Sequence, residues 1–405
     1  MLAVRAARLW DGIGEATSGP STVLVDDGLV VEVRRDDRVP AGARLVDLGD
    51  VTLLPGLIDA HVHLVFDGSD QPWTRLADAG VDQVTAIAHE SARQQLAAGV
   101  TTVRDLGDDR FATLPLRDRY ASGELLGPTL VCSGPPLTAP GGHCHFLGGE
   151  LDLGDPAASV RAWAARGVDL IKLMVSGGEI TPGSTPFHPQ LDAHVVQAVV
   201  AEAHARGLPV TAHAHDPVSV AMALDAGVDG LEHCAFLTEE GVADDAALRA
   251  RIAATGVAVC PTPGHIPGHA PPPRIASRVA AALEHFRALH AAGARLVTGS
   301  DAGIAPAKPH GLLPRALLTF AAFGSTPDAV LRMATSGAAD ALGFAGRKGI
   351  VAPGADADLV AVAGDPVEQL ETLLTPFAVL ARGRFAVGPA GAAEATEGPL
   401  EGPGR

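Results

Sequence analysis

The stretch VTLLPGLIDAHVHL, residues 51–64, begins as an apolar run and ends in three polar side chains, Asp59, His61 and His63. A run of this composition predicts a strand that is buried on both faces. Because side chains alternate along a strand, His61 and His63 share one face, where both can reach a single metal ion. An isolated H-x-H pair is also typical of hydrogen-bonded core histidines, so the rest of the chain has to decide between the two interpretations.

Seven further segments repeat a short β-branched run followed by an Ala-rich segment of helical period. They span 99–107, 128–134, 169–177, 209–216, 230–234, 257–263 and 294–303, and 194–207 and 278–293 are examples of the helical segments. Eight strand-then-helix units predict a protein of the α/β class with a parallel (β/α)8 TIM barrel. The alternative is an open doubly wound sheet. It is disfavoured because the sequence lacks the nucleotide-binding glycine patterns typical of such sheets.

The two ends of the chain have a different pattern. Residues 1–54 alternate short β-rich runs with turn residues, and residues 350–388 contain another such stretch. Neither piece is long enough to bury a core alone, so we expect the two to form one small β-sandwich domain beside a barrel at 55–349. The segment 389–405 is rich in Gly, Pro, Ala and Glu, which predicts a disordered tail.

Composition limits the functions that the chain can have. The 405 residues are 47% hydrophobic and carry a formal net charge of −17 without a lysine or arginine cluster, which excludes nucleic acid and anionic membrane surfaces as partners. The sequence contains neither a secretory signal nor an apolar run that is long enough to span a membrane, so we expect a cytoplasmic protein. Four scattered cysteines without a C-x-x-C pair predict reduced thiols.

Polar side chains gather near the carboxyl ends of the predicted strands, the face on which barrel enzymes form their active sites. Besides the pair at positions 61 and 63, they are Lys172, His213, His215, His233 and Asp301. Imidazole and carboxylate ligands suit zinc, manganese or nickel. Any one of these residues could be a hydrogen-bonded core residue, but five motifs on five strands favour a shared metal site.

Lys172 is the most unusual member of this set. The chain has three lysines against 27 arginines, and Lys172 lies in the apolar run DLIKLMVSG, residues 169–177. An unpaired ammonium in a buried strand costs on the order of several kcal/mol. We therefore expect a chemical requirement for a nitrogen atom at this position.

Five segments together carry a family resemblance. GLIDAHVHL, IKLMVSGG, VTAHAHD, GLEHC and GSDAG, in that order, resemble the amidohydrolase superfamily of metal-dependent hydrolases. ALGFAGRKGIVAPGADADLVAVAGDP is similar to the segment with which these enzymes leave the barrel and re-enter the small β-domain. GGH in the loop TAPGGHCHFLGGE, residues 138–150, resembles the prolidase-like branch of Xaa-Arg/Lys dipeptidases, which is related to the imidazolonepropionases.

The resemblance implies a binuclear metal site. Lys172 is expected to become N6-carboxylysine and to bridge two divalent metal ions, with zinc as the first choice and manganese, nickel or iron as alternatives. His61, His63 and Asp301 would bind one ion, and His213 and His233 the other. The resemblance also implies a homo-oligomer.

The same resemblance implies hydrolysis of an amide C–N bond in a small molecule, such as a dipeptide or an N-acyl amino acid, by a metal-bridging hydroxide. Asp301 would move the proton, or His233 if only one metal is bound. His143 and His215 are the expected substrate contacts, although the GGHCH segment could also be a turn with solvated histidines.

Several polar residues receive no role from the sequence. Glu179 and the loop at 180–189 could cover the site or form a surface connection, and no function is assigned to His145, His265, His269 or His310. The histidines in helical segments, His204, His285 and His290, are expected at the surface.

Two other functions stay open. One is ring opening of a cyclic amide, deamination or lactone hydrolysis by the same superfamily; such relatives typically use one metal and lack the bridging lysine, so Lys172 favours the two-metal amidase. The other is a scaffold that has lost its chemistry, which the complete set of six metal-ligand candidates disfavours.

Overall fold

The computed structural model describes residues 1–14, 17–269 and 271–389, so all but the first residue of the predicted tail at 389–405 lies outside the described residues. The strands are β1 Leu2–Leu9, β2 Thr17–Asp26, β3 Leu29–Arg34, β4 Arg44–Asp47, β5 Val51–Pro55, β6 Leu57–Val62, β7 Val100–Asp105, β8 Thr129–Cys132, β9 Ile171–Met174, β10 Val210–Ala214, β11 Gly230–His233, β12 Ala258–Cys260, β13 Arg295–Leu296, β14 Leu359–Ala363, β15 Ala378–Ala381 and β16 Arg384–Val387. The helices are α1 Trp73–Asp78, α2 Val81–Ala97, α3 Thr113–Ala121, α4 Pro156–Arg166, α5 Ala193–Ala205, α6 Pro217–Ala226, α7 Ala246–Thr255, α8 Pro273–Ala276, α9 Val279–Ala291, α10 Leu313–Ala321, α11 Pro327–Met333 and α12 Ser336–Ala341.

The two ends of the chain meet in one sheet. Its strand order is β16-β15-β14-β5-β1-β2-β3, and β4 pairs with β1. The strands β5 and β14 join the two ends in antiparallel pairing, with Leu359 opposite Pro55. Alternating apolar residues of these strands form a separate buried cluster that includes Val4, Leu53 and Leu380. One face of this sheet therefore has a core of its own.

Parallel strands make up the centre of the chain. They form a sheet of order β6-β7-β8 and another of order β13-β12-β11-β10-β9, and neighbouring strands within both are parallel. Helices alternate with these strands along the chain. Parallel strands linked by helices are the pattern that the sequence predicts, and the α/β class is confirmed.

Backbone hydrogen bonds connect the two parallel sheets at both of their edges. On one side, the amide of His63 donates to the Ala302 carbonyl at 3.0 Å, and the amide of Asp301 donates to the His61 carbonyl at 2.8 Å. On the other side, the amide of Leu137 donates to the Lys172 carbonyl at 2.8 Å. The first two bonds join the end of β6 to the segment after β13, and the third joins the segment after β8 to β9.

The helices cover the parallel strands with apolar faces. In α5, for example, Val195, Val196, Val199 and Val200 are buried, at the spacing of one helical face. The start of α6 is stabilised by Asp216, whose carboxylate accepts a hydrogen bond from the Ser219 amide at 2.9 Å. Within the described ranges, no helix has both the length and the apolar character needed to cross a membrane.

The predicted strand at 51–64 is divided in the structure, and the prediction of one continuous strand was wrong. Val51–Pro55 belongs to the sheet of the chain ends, whereas Leu57–Val62 is the first of the parallel strands. The division falls at Gly56, whose amide donates to the Asp358 carbonyl at 2.9 Å. The apolar run continues through this point because both strands are buried, so the hydrophobic pattern does not mark the change of sheet.

Gly56 gives a testable prediction about this junction. A Cβ atom at position 56 would lie 2.0 Å from Thr101 Oγ1 and 2.7 Å from Thr101 Cβ. We expect Gly56→Ala to lower the free energy of unfolding by about 1–3 kcal/mol, because the added methyl group overpacks a buried contact. Urea unfolding measures this change. Gly80→Ala is the control, since a Cβ there meets no atom within 4 Å; an equal loss in both variants would contradict the explanation.

Candidate metal centre

The first group of candidate ligands lies where β6 approaches the segment after β13. The ligand atoms of His61, His63 and Asp301 lie within 4.8 Å of one another, and all three residues are buried. The carboxylate oxygen Oδ1 of Asp301 is 3.4 Å from His61 Nε2 and 3.3 Å from His63 Nε2. Two imidazole nitrogens beside a carboxylate oxygen can hold one divalent cation. The structure thus brings together the three residues that the resemblance assigns to one metal.

The second group consists of histidines at the ends of β10 and β11. The ligand atoms of His213, His215 and His233 also lie within 4.8 Å of one another. The His233 ring is 5.1 Å from the His61 ring between centroids, so the two groups adjoin. His215, predicted as a substrate contact, stacks on His233 at 4.3 Å with an interplanar angle of 12°. The geometry therefore offers a third nitrogen donor here, beyond the two ligands that the sequence predicts.

The charge of Lys172 acts on histidines of both groups, since it contributes to lowering the pKa of His61, His213 and His233. Its residue is 1% exposed, and among the described residues Nζ has no hydrogen-bond partner. Burial lowers the pKa of Lys172, against the opposing effect of the Glu232 and Asp301 charges. In turn, the Lys172 charge adds to the effect of burial in lowering the pKa of His61, to about 4. The nitrogen that the sequence marked as unusual is thus an unsatisfied buried amine.

Glu232 is a buried acid for which the sequence interpretation gave no role. It is 0% exposed and accepts hydrogen bonds from His61 Nδ1 at 2.7 Å and from Arg104 Nη2 at 2.8 Å. Burial raises its pKa, but the Arg104 charge and the His61 contact outweigh burial and hold the pKa well below its usual range. An anionic Glu232 keeps the proton on Nδ1 of His61 and leaves Nε2 free as a ligand atom.

The sequence does contain a pattern that could have identified Glu232 and Arg104 as buried charges that each require a partner. Both are charged residues inside otherwise apolar strands, GLEHC and GVTTVRDLG, and a charge in a buried strand requires a partner. The sequence does not show that these two are each other's partners, because β7 and β11 belong to different sheets. The contact is visible only in the folded chain.

Hydrogen bonds orient the remaining rings. His213 Nε2 donates to the Gly177 carbonyl at 2.9 Å, which leaves Nδ1 as the free nitrogen of a neutral ring. His233 Nδ1 is 2.8 Å from the Thr262 hydroxyl, which leaves Nε2. Burial, followed by neighbouring imidazoles, lowers the pKa of both histidines well below the ordinary value. Neutral imidazoles are the form that binds metals.

Asp59 supports the loop that carries Asp301. Its carboxylate accepts hydrogen bonds from the Ser300 hydroxyl and from the Ser300 amide at 2.9 Å. A third hydrogen bond comes from the His61 amide at 3.2 Å. Burial raises the pKa of Asp59 to about 7, although these hydrogen bonds oppose the rise. Asp59 therefore fixes the backbone on both sides of the first ligand group.

His143 comes from the Gly-rich loop after β8. It is 5% exposed, and its ring centroid is 4.9 Å from that of His213. A Cβ at Gly178 would lie 2.3 Å from His143 Nε2, so the glycine leaves the space that the ring fills. Within the described chain, Nδ1 of His143 has no hydrogen-bond partner, and neither has Nδ1 of His215. The alternative of a solvated His143 is therefore wrong.

One expectation about the helical histidines was also wrong. His285 is 4% exposed rather than a surface residue. Its Nε2 atom donates to the Cys234 carbonyl at 3.0 Å, and its ring lies 4.1 Å from the Phe236 ring between centroids. Helical periodicity places His285 on the face that carries Phe286 and Leu289 of α9, both buried, which the sequence interpretation overlooked.

The remaining polar residues of the loops lie apart from the ligand groups. His310 is buried and donates from Nε2 to the Phe66 carbonyl at 2.7 Å, which is a structural contact. Glu179 Oε1 is 3.3 Å from Arg274 Nε. The loop histidines His265 and His269 are exposed, and His145 is half-buried. Nothing in these positions adds a ligand to the centre.

The chain is similar to known proteins over most of its length. The amidohydrolase family model matches residues 52–385. An ochratoxinase from Aspergillus niger is 26% identical over 374 residues, covering 81% of this chain and 73% of that protein. An imidazolonepropionase from Ralstonia nicotianae is 29% identical over 383 residues, covering 86% and 87%. The crystal structure of a Xaa-Pro dipeptidase with bound methionine in the active site is similar with a TM-score of 0.81 and 26% identity, covering 95% and 99%.

The Glu232–His61 contact gives a prediction about metal affinity. We expect Glu232→Gln to weaken metal binding by about 10–100-fold, because the neutral amide no longer holds the proton on His61 Nδ1. Metal content after dialysis against a graded series of chelator concentrations measures the change. Glu202→Gln is the control, since Glu202 lies on α5 and pairs with Arg206 at 2.7 Å on the surface. Equal metal retention in the two variants would refute the prediction.

Proposed function

The chain belongs to the amidohydrolase family, and we propose that it is a metal-dependent hydrolase that cleaves the C–N bond of a small amide, such as a dipeptide or an N-acyl amino acid. The observation that carries the proposal is the unpartnered buried amine of Lys172, whose charge acts on histidines of both groups of ligand atoms. The similarity to a Xaa-Pro dipeptidase over 95% of the chain supports a dipeptide-like substrate.

The proposal includes the architecture that positions this site. The eight parallel strands β6 to β13 form a closed barrel over residues 55–349, and residues 1–54 and 350–388 form a β-sandwich domain. The backbone bonds from His63 to Ala302 and from Leu137 to Lys172 support closure, because they join the two parallel sheets at opposite edges. A closed barrel brings the carboxyl ends of all its strands to one face.

The donor set fits two divalent ions. Each group supplies three atoms from imidazole or carboxylate, which suits zinc, with manganese, nickel or iron as alternatives. Lys172 completes the set as N6-carboxylysine: its neutral amine adds to carbon dioxide and loses a proton, and the resulting carbamate is an anion. Burial lowers the pKa of Lys172 and so favours the reactive neutral amine. The conversion replaces an unpaired buried cation by an anion that metal ions can neutralise.

When bound, two divalent ions would supply hydroxide at neutral pH and polarise the scissile carbonyl. Asp301 would transfer the proton in this reaction. Burial alone would raise the pKa of Asp301, but the Lys308 charge and the contact with His63 outweigh it and keep the pKa below its usual range. The ionised carboxylate of Asp301 can accept a proton and deliver it to the leaving nitrogen.

His143 and His215 are the proposed substrate contacts. Both are neutral, because burial lowers the pKa of each to about 3. Both also keep a buried Nδ1 atom without a hydrogen-bond partner in the described part of the chain. A substrate that donates or accepts hydrogen bonds at these atoms would satisfy polar groups that are otherwise costly to bury. His215 also belongs to the second ligand group, so its ring can act there as a metal ligand.

One alternative substrate class has specific support. Similarity to an imidazolonepropionase favours the opening of a cyclic amide. Lys172 separates the alternatives, since a bridging carbamate belongs to a two-metal amidase, whereas a one-metal enzyme does not need it. A noncatalytic scaffold is the third possibility, and it predicts that the purified chain retains no tight divalent metal under metal-replete conditions.

The substrate proposal is tested by screening metal-loaded protein against dipeptides, N-acyl amino acids and cyclic amides, with amine release or ring opening as the measurement. We expect turnover of linear amides. Asp301→Asn is the matched control, because it keeps the shape of the side chain and removes the proton acceptor; turnover should fall on the order of 10²–10⁴-fold. Turnover of cyclic amides alone, or equal turnover by Asp301→Asn, would contradict the proposal.

The carbamate is tested by Lys172→Ala. We expect this variant to lose most activity and to hold one metal ion or none, with partial recovery when short carboxylic acids are added, because they replace the carbamate oxygens. Wild-type protein incubated with ¹³C-bicarbonate should show a carbamate carbon resonance that the variant lacks.

The other buried lysine provides the control for this measurement. Lys348 Nζ already pairs with Asp356 and Asp358, at 2.7 Å each. Lys348→Ala should therefore keep the carbamate resonance. A Lys172→Ala protein with the metal content and turnover of the wild type would rule out the bridging carbamate.

A further inference from the structure

Three strand ends beside the metal centre share an unusual backbone conformation. His233 ends β11, and Thr262 and Asp301 follow β12 and β13; their φ angles are 66°, 50° and 59°. These values lie in the left-handed region, which is unfavourable for residues other than glycine, and most of all for a β-branched residue such as Thr262. Such residues persist where the surrounding structure holds them in place. The structure must therefore contain contacts that stabilise these three turns.

Lys308 makes contacts at two of these turns. Its ammonium donates to the Thr262 carbonyl and to the Ser300 carbonyl, each at 2.9 Å. The first carbonyl belongs to Thr262, whose φ angle lies in the left-handed region, and the second belongs to Ser300, the residue before Asp301. The same ammonium lies 3.8 Å from Asp301 Oδ2. One side chain thus connects the ends of β12 and β13.

Thr262 extends this connection to the other ligand group. Its hydroxyl is 2.8 Å from His233 Nδ1. A chain of contacts therefore runs from His233 through Thr262 to Lys308, and from there to Asp301. Its two ends belong to different ligand groups of the candidate centre.

The position of Lys308 is itself fixed by a short loop. The Gly303 amide donates to the Lys308 carbonyl at 2.7 Å, and the Lys308 amide donates to the Ala305 carbonyl at 2.8 Å. The Ile266 amide donates to the neighbouring Ala307 carbonyl at 2.9 Å. The side chain is 19% exposed, so the ammonium reaches its two carbonyls from a partly open position.

We propose that Lys308 is a positioning residue that ties the ends of β12 and β13 together and so holds Asp301 and His233 at the separation that the reaction needs. A compact ammonium with three donors suits two carbonyls from different strands, whereas the larger guanidinium fork of arginine matches planar carboxylates. The expected effect of Lys308 on turnover rests on the proposed hydrolase function. The expected effect of Lys308 on the backbone conformation of Thr262 and Asp301 does not.

The conformational consequence is tested by a crystal structure of Lys308→Met. Methionine fills similar space and removes all three donors. We expect Thr262 or Asp301 to leave the left-handed region once the carbonyls lose the ammonium. If both residues keep positive φ angles near those of the wild type, the proposal is overturned, whether or not the protein hydrolyses any amide.

The kinetic consequence is tested on the metal-loaded enzyme. We expect Lys308→Met to lower kcat on the order of 10²-fold with a smaller change in KM, because a small displacement of Asp301 affects the chemical step more than substrate binding. Lys348→Met removes a more deeply buried lysine, 3% exposed, at the remote Asp356–Asp358 cluster and should leave kcat close to wild type at a temperature where both variants are folded. An unchanged kcat in Lys308→Met, or an equal loss in the two variants, overturns the proposal.

A second variant covers the case in which Lys308→Met does not fold. Lys308→Ala leaves a partly open space of the size of propylammonium, which carries the missing ammonium group. We expect added propylammonium, but not propan-1-ol, to restore part of the lost kcat. Equal recovery with both, or recovery with neither, counts against the ammonium tether.

Discussion

The buried amine of Lys172 is the constraint on which the rest of the centre depends. An ammonium in this position would be a cation among neutral imidazoles, which carry no negative charge to neutralise it. Burial already lowers the pKa of His61 to about 4 and that of His215 to about 3. The site therefore consists of neutral nitrogen donors together with ionised carboxylates at Asp301 and Glu232. Because neutral imidazoles and ionised carboxylates are the forms that bind metals, this set of side chains favours divalent cations.

The donors are useful only because each ring is held in one orientation. Glu232 fixes His61, the Thr262 hydroxyl contacts His233, and the Gly177 carbonyl fixes His213. Each of these partners comes from a different strand or loop than the ring it contacts. The orientation of each ligand ring therefore depends on the position of a neighbouring strand or loop, since the ring loses its hydrogen-bond partner when that neighbour shifts.

The sequence allowed part of this centre to be predicted, for a definite reason. Parallel strands bring their carboxyl ends to one side, so polar residues at several strand ends had to meet, and His61, His63 and Asp301 do. Spacing could not reveal the contact between Arg104 and Glu232, because the two strands are far apart in the chain and in different sheets. The change of sheet at Gly56 could not be predicted for another reason. Both adjoining strands are buried, so the sequence is apolar on either side of the change.

The three lysines show how environment, rather than residue type, decides the role of a buried amine. Lys348 lies between two carboxylates, so its charge is neutralised and its nitrogen is occupied. Lys308 donates to two backbone carbonyls and keeps its charge beside Asp301, which makes it a tether between strand ends. In the described structure, Lys172 alone among the three has neither kind of contact. An amine with a lowered pKa and a free nitrogen is a nucleophile, and the reaction that would remove its unfavourable charge is the one that would supply the centre with two more oxygen ligands.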